Sequence, residues 1–376
     1  MIYLDNAAST PVDDQVIARM TQIMRAAYGN PSAAHPAGAA ARRAIAVARG
    51  QVLAALGDPE GALGDVIWTS GGTEANALGV IGAARARGGG AVVVSAVEHP
   101  AVAASALALG EGWPVVTVGV DGDGCVDVAA AAARIPVDAA VVAVVAVANE
   151  LGAVQPVAAL AAAARARAPG VHVHCDATQA IGKLAIDVGA LGVDSLALAG
   201  HKLHGPKGVG ALWLRHGATV VALWGGGGQQ GGRRHGTQDA PGAAGLGVAI
   251  ERAVAARPEA TARWLGFAAT LEAAAAASGV PWRRVVDGPR APHLLALAFE
   301  RVSADALREV LASRGVIAAS GSACASPGGK PSGQLAAIGL PATWGMVRLS
   351  FGLTTTADEV AAAAAILAAA VRDLAG

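Results

Sequence analysis

Residues 194–210 read DSLALAGHKLHGPKGVG, and the order of residue types in this stretch is informative about the fold. Its apolar first half predicts a buried strand, which leads directly to Lys202 and then to a glycine-bearing turn. A second stretch, VHVHC at residues 171–175, predicts another strand, which ends at Asp176. Apolar strands that end in chemically active side chains are typical of a parallel sheet that binds its ligand at the carboxyl edge.

The first two thirds of the chain repeat this pattern. The strand candidates are residues 66–69, 91–95, 115–118, 140–147, 171–175, 194–199 and 209–214, and alanine-rich helical stretches at 73–87, 100–109 and 156–167 lie between them. Short Val-rich strands that alternate with helices predict a mostly parallel sheet covered on both faces. We therefore expect an α/β fold with a seven-stranded main sheet.

The pattern changes after a glycine-rich stretch at residues 225–236. A helix is predicted at 241–277, followed by a strand at 294–299, a helix at 303–314, a strand at 346–351 and a last helix that runs to 374. These elements predict a smaller α+β domain. We expect a large domain at 15–255, and a small domain that combines residues 1–14 with 256–376.

Composition excludes several classes of protein. The chain of 376 residues carries 28 Lys and Arg against 28 Asp and Glu, and has no basic run, so we expect no binding to nucleic acid. Its longest apolar runs, 139–148 and 360–371, are shorter than the ~20 residues that span a bilayer, so we expect no membrane association. The N-terminus lacks a signal-peptide pattern, and the three cysteines form no CxxC pair. We expect a reducing, cytoplasmic location.

Lys202 and Asp176 are the two residue types that pyridoxal phosphate (PLP) requires. A lysine amine forms a Schiff base with the cofactor aldehyde, and a carboxylate keeps the pyridine nitrogen protonated so that the ring accepts electrons. In the alternative interpretation, Lys202 is a solvated loop lysine and Asp176 is a helix cap.

A small-residue stretch, SGGTEAN at residues 70–76, follows a strand and opens a helix. Backbone N–H groups at such a helix N-terminus bind one phosphate, and the Thr73 hydroxyl adds a donor. The stretch matches neither the GxxxxGK[ST] nor the GxGxxG pattern, so a nucleoside triphosphate or a dinucleotide is disfavoured. An ordinary helix N-cap is the alternative.

Other strand ends carry further candidates. His99 could stack on an aromatic ring and move protons, or it could be a capping or core histidine. Asn149 could donate a hydrogen bond to a phenolic oxygen, or cap a helix. His172 and His174 alternate on one strand face, and because no further ligand cluster completes a metal site, we interpret them as structural and expect no metal.

Two candidates belong to the predicted small domain. Cys324 lies in a loop of small residues, which suits a reactive thiol, although an incidental free cysteine is the alternative. Arg348 lies on a predicted strand, and its planar guanidinium suits a carboxylate ligand, although a surface ion pair is the alternative.

Together these residues resemble a cysteine desulfurase of the nitrogen-fixation and iron–sulfur-assembly type, in the class V aminotransferase branch of the fold-type I PLP enzymes. The resemblance covers residues 3–352, and its motifs are Gly29-Asn-Pro-Ser-Ala-Ala-His35, Thr69-Ser-Gly-Gly-Thr-Glu74, Glu98-His99, Asn149-Glu-Leu-Gly152, Asp176-Ala-Thr-Gln179, Gly200-His-Lys202, Arg234-His-Gly-Thr237 and Ser320-Gly-Ser-Ala-Cys324.

The resemblance implies a role for each candidate around PLP. Lys202 would carry the cofactor, Asp176 would pair with the pyridine nitrogen, His99 would stack on the ring, and Asn149 and Gln179 would contact the phenolic oxygen. The residues that would hold the phosphate are Gly72, Thr73, His201 and Thr237, the last from the partner subunit of a homodimer.

On the substrate side, the resemblance implies that Arg348, helped by Asn149, binds the substrate carboxylate and that Cys324 accepts sulfur. One departure is Ala199, because the family usually has a serine there that contacts the phosphate. Gln229 and Gly231 also replace a histidine and an arginine that are frequent in the family.

The implied activity is conversion of L-cysteine to L-alanine, with a persulfide left on Cys324 and passed to an acceptor protein of iron–sulfur cluster assembly or another thiolation pathway. The alternatives are a class V aminotransferase or a selenocysteine or cysteine lyase that does not use Cys324, and a catalytically silent sulfur-relay partner. The sequence leaves the acceptor and the selectivity for cysteine over selenocysteine open.

Overall fold

Thirteen strands form three sheets in residues 1–320 and 332–375, which are the residues described by this computed structural model. The strands are β1 (Ile2–Tyr3), β2 (Gly64–Thr69), β3 (Val92–Ser95), β4 (Val115–Val118), β5 (Val141–Val145), β6 (His172–Asp176), β7 (Ser195–Ala199), β8 (Gly210–Arg215), β9 (Trp282–Arg284), β10 (Leu294–Glu300), β11 (Val316–Ile317), β12 (Ala319–Ser320) and β13 (Trp344–Ser350). The sequence-predicted Cys324 lies outside the described residues.

The described residues also contain the helices that connect these strands. They are α1 (Asp14–Ala26), α2 (Pro36–Ala55), α3 (Gly72–Ala77), α4 (Ala83–Arg87), α5 (Pro100–Leu107), α6 (Val128–Arg134), α7 (Val157–Arg167), α8 (Val188–Leu191), α9 (Ala240–Ala277), α10 (Ala304–Ser313), α11 (Gly333–Ala337) and α12 (Ala357–Ala375). None of the helices in the described ranges is long and apolar enough to cross a membrane.

The main sheet has seven strands in the order β2-β8-β7-β6-β5-β3-β4. The pairs β3–β4, β3–β5, β5–β6 and β6–β7 are parallel, whereas β8 runs antiparallel to both β2 and β7. Every residue of β5, β6 and β7 is buried, as their apolar sequences predict for strands with both faces covered. The predicted α/β class with a mostly parallel seven-stranded sheet is confirmed.

The parallel strands determine where the site forms. Because β5, β6 and β7 run in the same direction, their carboxyl ends meet at one edge of the sheet. Asp176 is the last residue of β6, and Lys202 ends a 3₁₀ turn, Gly200–Lys202, that directly follows β7. The two residues that the sequence singled out therefore lie at neighbouring strand ends.

A smaller antiparallel sheet, β12-β13-β10-β9, forms the core of the C-terminal part together with α9, α10 and α12. The N-terminal arm joins it, since β1 pairs with β11 and Asp5 forms a bridge with Ser350. A large sheet domain with a smaller C-terminal domain is thus confirmed. The boundary expected at residue 255 falls inside α9, which is continuous for 38 residues, and it stays a prediction.

One predicted helix is divided. The sequence predicts a single helix over 73–87, whereas the structure has α3, a π-helical turn at Leu78–Gly82, and α4. The wider turn brings Gly79 against the imidazole of His174, where a Cβ atom on residue 79 would lie 2.2 Å from Nδ1. Such tertiary fits between a helix and a sheet carry no signal in local periodicity.

Candidate active site

A cavity of about 520 Å³ opens at the carboxyl edge of the main sheet. Sequence-predicted site residues that line it together are Gly72, Thr73, His99, Asn149, Asp176, Gln179, His201 and Lys202. They come from the ends of β5, β6 and β7, from the start of α3, and from the turn before α5. The predicted cofactor residues are therefore neighbours in space, although more than 100 positions of sequence separate Gly72 from Lys202.

The amine of Lys202 is less basic than an ordinary lysine amine. Burial, and after it the positive charge of Arg348, lower the pKa of Lys202 to about 8, while the carboxylates of Asp176 and Asp5 oppose the shift. Its Nζ donates hydrogen bonds to the carbonyl oxygens of Ala7 at 2.6 Å and of Ala8 at 2.8 Å. A lysine with such a pKa reaches the uncharged, nucleophilic form near neutral pH.

The carboxylate of Asp176 is buried and held at both oxygens. Its Oδ1 accepts hydrogen bonds from the backbone N–H of Thr178 at 3.0 Å and from the Thr178 hydroxyl at 2.7 Å. Its Oδ2 accepts a hydrogen bond from Nδ2 of Asn76 at 2.8 Å. Asp176 thus stabilises the turn after β6, as the cap interpretation expects, and also faces the cavity.

The position of His99 is compatible with both interpretations made from the sequence, a helix cap and a ring that faces the cofactor. Its Nδ1 accepts a hydrogen bond from the backbone N–H of Ala101 at 3.0 Å and so caps α5. An accepting Nδ1 places the imidazole proton on Nε2. Burial lowers the pKa of His99, partly offset by the nearby Asp176, so the ring that lines the cavity is neutral at physiological pH.

The start of α3 forms a cradle for an anion. Gly71 precedes the helix at φ 155° and provides no side-chain cap, so the first N–H groups stay available. A Cβ atom on Gly72 would lie 2.9 Å from Cγ2 of Thr178 and 3.3 Å from Cβ of Ala199, so the helix reaches this depth only with glycine. Burial and three nearby lysines lower the pKa of His201 to about 4, so it acts as a neutral hydrogen-bonding group.

The amides of Asn149 and Gln179 are oriented by neighbouring groups. Oδ1 of Asn149 accepts a hydrogen bond from Nε2 of Gln334 at 2.9 Å, which leaves the Nδ2 group of Asn149 as a donor. Nε2 of Gln179 donates to the carbonyl oxygen of Ala7 at 2.8 Å, and Oε1 lies 3.3 Å from Nε2 of His293.

Arg348, on β13, carries a buried guanidinium with two partners. Its Nη2 lies 2.6 Å from Oδ1 of Asp5, and its Nη1 donates to the carbonyl oxygen of Asn149 at 2.8 Å. The alternative interpretation of Arg348 was an ion pair on the surface. Arg348 does form an ion pair, but the pair is largely buried, since 9% of the Arg348 side chain and 20% of the Asp5 side chain are exposed. The charge of Arg348 also reaches Lys202, because it depresses the pKa of that amine.

Thr237 lies apart from this cavity. It is exposed and lines a different cavity of about 460 Å³, beside Tyr28 and Asn30. Within this chain it therefore has a separate location from the cradle formed by Gly72 and Thr73.

Sequence reasoning missed two buried residues next to the site. Asn76 holds Oδ2 of Asp176, and its signal is its place three residues after Thr73, on the same side of α3. Lys183 donates from Nζ to the carbonyl oxygen of Lys202 at 2.6 Å, and it lies four residues after Gln179. Burial and the charge of Lys202 lower the pKa of Lys183 to about 7.

The buried Lys183 predicts an unusual dependence of stability on pH. Its pKa is about 7 in the folded chain against 10.5 as its ordinary value, so between these values the unfolded chain binds the extra proton. Lys183 should therefore make the free energy of unfolding of the cofactor-free protein rise with pH from about 7 to 10, by about 1.4 kcal/mol per unit. Urea unfolding at pH 7, 8 and 9 measures it.

Lys183→Met should remove the part of this rise that Lys183 contributes, whereas Lys207→Met, which changes an exposed lysine, should leave the rise unchanged. Lys202, whose pKa is also lowered, contributes in the same direction in the cofactor-free protein. An equal rise in the Lys183→Met variant and in the unmodified protein would contradict the assignment to Lys183.

The residues present fit PLP. The cradle at Gly72 has no room for a side chain and offers free N–H donors. In the same cavity, Asp176 offers a carboxylate fixed by hydrogen bonds, and Lys202 offers an amine whose pKa is lowered. A phosphate, a pyridine nitrogen and an aldehyde are the groups that these three features recognise. The fold and the site define a PLP-dependent enzyme of fold type I.

Comparison with known proteins identifies the family. The sequence model of the class V aminotransferases matches residues 2–362, and the chain belongs to this family, whose members depend on PLP. A cysteine desulfurase from Rhodobacter capsulatus is 38% identical over 371 residues, which cover 97% of this chain and 95% of the relative. The cysteine desulfurase NifS from Azotobacter vinelandii is 37% identical over 365 residues, which cover 96% of this chain and 90% of the relative.

A solved structure of a NifS-like protein is similar to the whole fold, with a TM-score of 0.90 and 29% sequence identity over 98% of both chains. The resemblance read from the sequence motifs, the fold type and the PLP cofactor are thereby confirmed.

Proposed function

We propose that this protein is a PLP-dependent cysteine desulfurase, which converts L-cysteine to L-alanine and transfers the sulfur to its own Cys324. The observation that carries the proposal is the placement of Lys202, with its pKa of about 8, beside Asp176 at adjacent strand ends. The relatives that match nearly the whole chain and carry the name cysteine desulfurase support the choice of reaction within the family.

The cofactor would be held by residues from five places around the cavity. When bound, PLP withdraws electrons from the substrate Cα and so labilises the bonds around it. Lys202 would hold the aldehyde carbon, Asp176 the ring nitrogen, and His99 the ring face. Gly72, Thr73 and His201 would hold the phosphate; Asn149 and Gln179 would contact the phenolic oxygen.

Arg348 would bind the substrate carboxylate, for which its bidentate guanidinium is suited. In the present structure that guanidinium pairs with Asp5, so the incoming carboxylate takes the place of the Asp5 carboxylate. The donor group of Asn149 would support the same carboxylate.

Lys202 would move the proton at Cα. As a free amine, Lys202 would be an effective base near neutral pH, because its pKa is lowered to about 8. The neutral His99, with its proton on Nε2, would move a second proton at the same side of the cavity.

Cys324 would accept the sulfur. Its thiolate attacks the substrate sulfur, the S–S bond forms, and the Cβ–S bond breaks with its electron pair left on the carbon fragment. Protonation of that fragment gives alanine, and Cys324 is left as a persulfide, so no external oxidant is consumed. Such a persulfide is reversible, as a sulfur carrier requires.

We propose further that the enzyme is a cytoplasmic homodimer in which Thr237 of the partner subunit completes the phosphate cradle. Within one subunit Thr237 lies beside Tyr28, which is 79% exposed, and near Met24, which is 55% exposed, so this face carries apolar surface that a second copy would bury. The acceptor protein would belong to iron–sulfur cluster assembly or another thiolation pathway.

Thr237→Ala should weaken cofactor retention about tenfold without changing the oligomeric state, because it removes one charge-assisted hydrogen bond to the phosphate. Dialysis with fluorescence detection of free PLP measures retention, and sedimentation measures the oligomer. Thr219→Ala, elsewhere on the surface, is the matched control. A monomer that retains PLP fully would contradict the shared site.

Product analysis tests the reaction itself. The holoenzyme incubated with L-cysteine and a thiol reductant should release alanine and sulfide in equal amounts. Pyruvate in place of alanine would favour a lyase, and a keto acid formed only with an added amino acceptor would favour an aminotransferase.

A further inference from the structure

A chain of buried polar groups leads from Asp176 into the sheet, away from the cavity. Asn76 donates to Oδ2 of Asp176 at 2.8 Å, and its Oδ1 lies 2.9 Å from Nε2 of His174. Nδ1 of His174 lies 2.8 Å from Oγ of Ser195, which in turn lies 2.7 Å from Nε2 of His172. All five residues are buried, so these contacts replace hydration for each of them.

Elementary donor rules determine the direction of every bond in this chain. An ionised carboxylate only accepts, so Asn76 presents its NH₂ group to Asp176 and its Oδ1 to His174. An amide oxygen only accepts, so Nε2 of His174 carries the proton and Nδ1 is the acceptor. The Ser195 hydroxyl then donates to His174 and accepts from Nε2 of His172. All four donors therefore point toward Asp176.

The surroundings keep His174 in this single state. Burial lowers the pKa of His174 to about 3 and that of His172 to about 4, so both rings stay neutral. The π-helical turn at Leu78–Gly82 places Gly79 against the His174 ring, where a Cβ atom would lie 2.2 Å from Nδ1. A π-helical turn inside an α-helix is frequently associated with a functional site.

We propose that Asn76 and His174 are positioning residues, which hold Oδ2 of Asp176 as a hydrogen-bond acceptor and orient the carboxylate toward the pyridine nitrogen of PLP. Aligned donors polarise one another in a medium of low dielectric constant, so the bond to Asp176 is strengthened by the groups behind it. The inference rests on the PLP part of the proposed function and is independent of the amino acid that the enzyme consumes.

Other titratable groups also face Asp176 and enter any measurement of pH dependence. Lys202 and His99 lie on the cavity side, and their pKa values respond to the Asp176 charge. Glu98 lies behind, and burial raises its pKa to about 8. These three groups are unchanged in variants of Asn76, His174 and His172. Differences between those variants therefore report on the hydrogen-bonded polar groups themselves.

Four variants of the full-length holoenzyme test the proposal. Asn76→Asp places a second acid against Asp176, and His174→Phe removes the donor to Asn76. His174→Gln is the conservative variant, because its amide N–H can replace Nε2–H. His172→Phe is the matched control: it removes a buried histidine from the same strand, but only the most distant bond of the chain.

Three readouts are independent of turnover: PLP dissociation, the pH at which the visible absorbance of the bound cofactor changes, and the tautomer of His174 by ¹⁵N-histidine NMR. Asn76→Asp and His174→Phe should each raise the PLP dissociation constant by about tenfold or more. They should also move the absorbance midpoint to higher pH, because a ring nitrogen that loses its proton withdraws fewer electrons.

His174→Gln should restore both properties, and His172→Phe should change them least. The NMR spectrum should show His174 protonated at Nε2. A His174 protonated at Nδ1 would overturn the proposal, and so would equal effects of His174→Phe and His172→Phe on stability with no movement of the absorbance midpoint. Failure of desulfuration with these results intact would instead count against the proposed reaction.

Discussion

Lys202→Ala should abolish turnover and prevent covalent attachment of PLP. The reason is geometric: Lys202 follows β7 at the edge of the sheet, lines the cavity beside Asp176, and has an amine whose pKa is lowered to about 8. Loss of both the attachment point and the base at Cα removes several orders of magnitude from kcat. Borohydride reduction of the unmodified holoenzyme, followed by peptide mapping, should place the reduced cofactor on Lys202.

Two other lysines are the matched controls for this assignment. Lys207 lines the same cavity but is exposed. Lys183 is buried behind Lys202, and its amine donates a hydrogen bond to the carbonyl oxygen of Lys202. Lys207→Ala should keep the covalent cofactor and its visible absorbance. The assignment fails when the reduced cofactor maps to Lys207 or Lys183.

Cys324→Ser should keep the cofactor but release no alanine, because PLP cannot itself accept the sulfur. The other two cysteines make poor nucleophiles. Cys175 is fully buried, and burial raises its pKa well above the ordinary value, with Asp176 and Glu98 adding to the effect. Burial and the charges of Asp121 and Asp123 raise the pKa of Cys125 as well. Since the thiolate is the reactive form, both are disfavoured.

Mass spectrometry after treatment with L-cysteine should find one additional sulfur on the peptide that contains Cys324. Cys125→Ser, which changes the partly exposed thiol, should retain full alanine release and the same modified peptide. Added sulfur on Cys125 or Cys175, or normal alanine release by Cys324→Ser, would refute the sulfur-transfer step.

The sequence predicted the sheet and its ligand edge well because the signals there are local. Val-rich β5 is apolar on both faces, and glycine and proline mark the turns, so the predicted limits differ from the observed ones by a few residues. The placement of Lys202 and Asp176 then follows from the parallel direction of β6 and β7. Strand direction itself was less accessible: nothing in the composition of β8 indicates that it runs antiparallel to both of its neighbours.

The remaining features depend on contacts between distant parts of the chain. The division of the helix at Leu78 results from the fit of Gly79 against His174, nearly 100 positions away. The interpretation of His172 and His174 as structural histidines missed their connection to Asp176, because Asn76 completes it from another element. The pairing of Arg348 with Asp5 likewise joins the two ends of the chain.

That last pairing has a consequence for ligand selectivity. Since Asp5 already pairs with Arg348, a substrate carboxylate bound there in the proposed role of Arg348 would exchange one ion pair for another. The net gain from this exchange is small, since both carboxylates are similar in charge and geometry. On the proposed mechanism, simple organic acids would therefore gain little by entering, and discrimination in favour of amino acids would rest on their amino group.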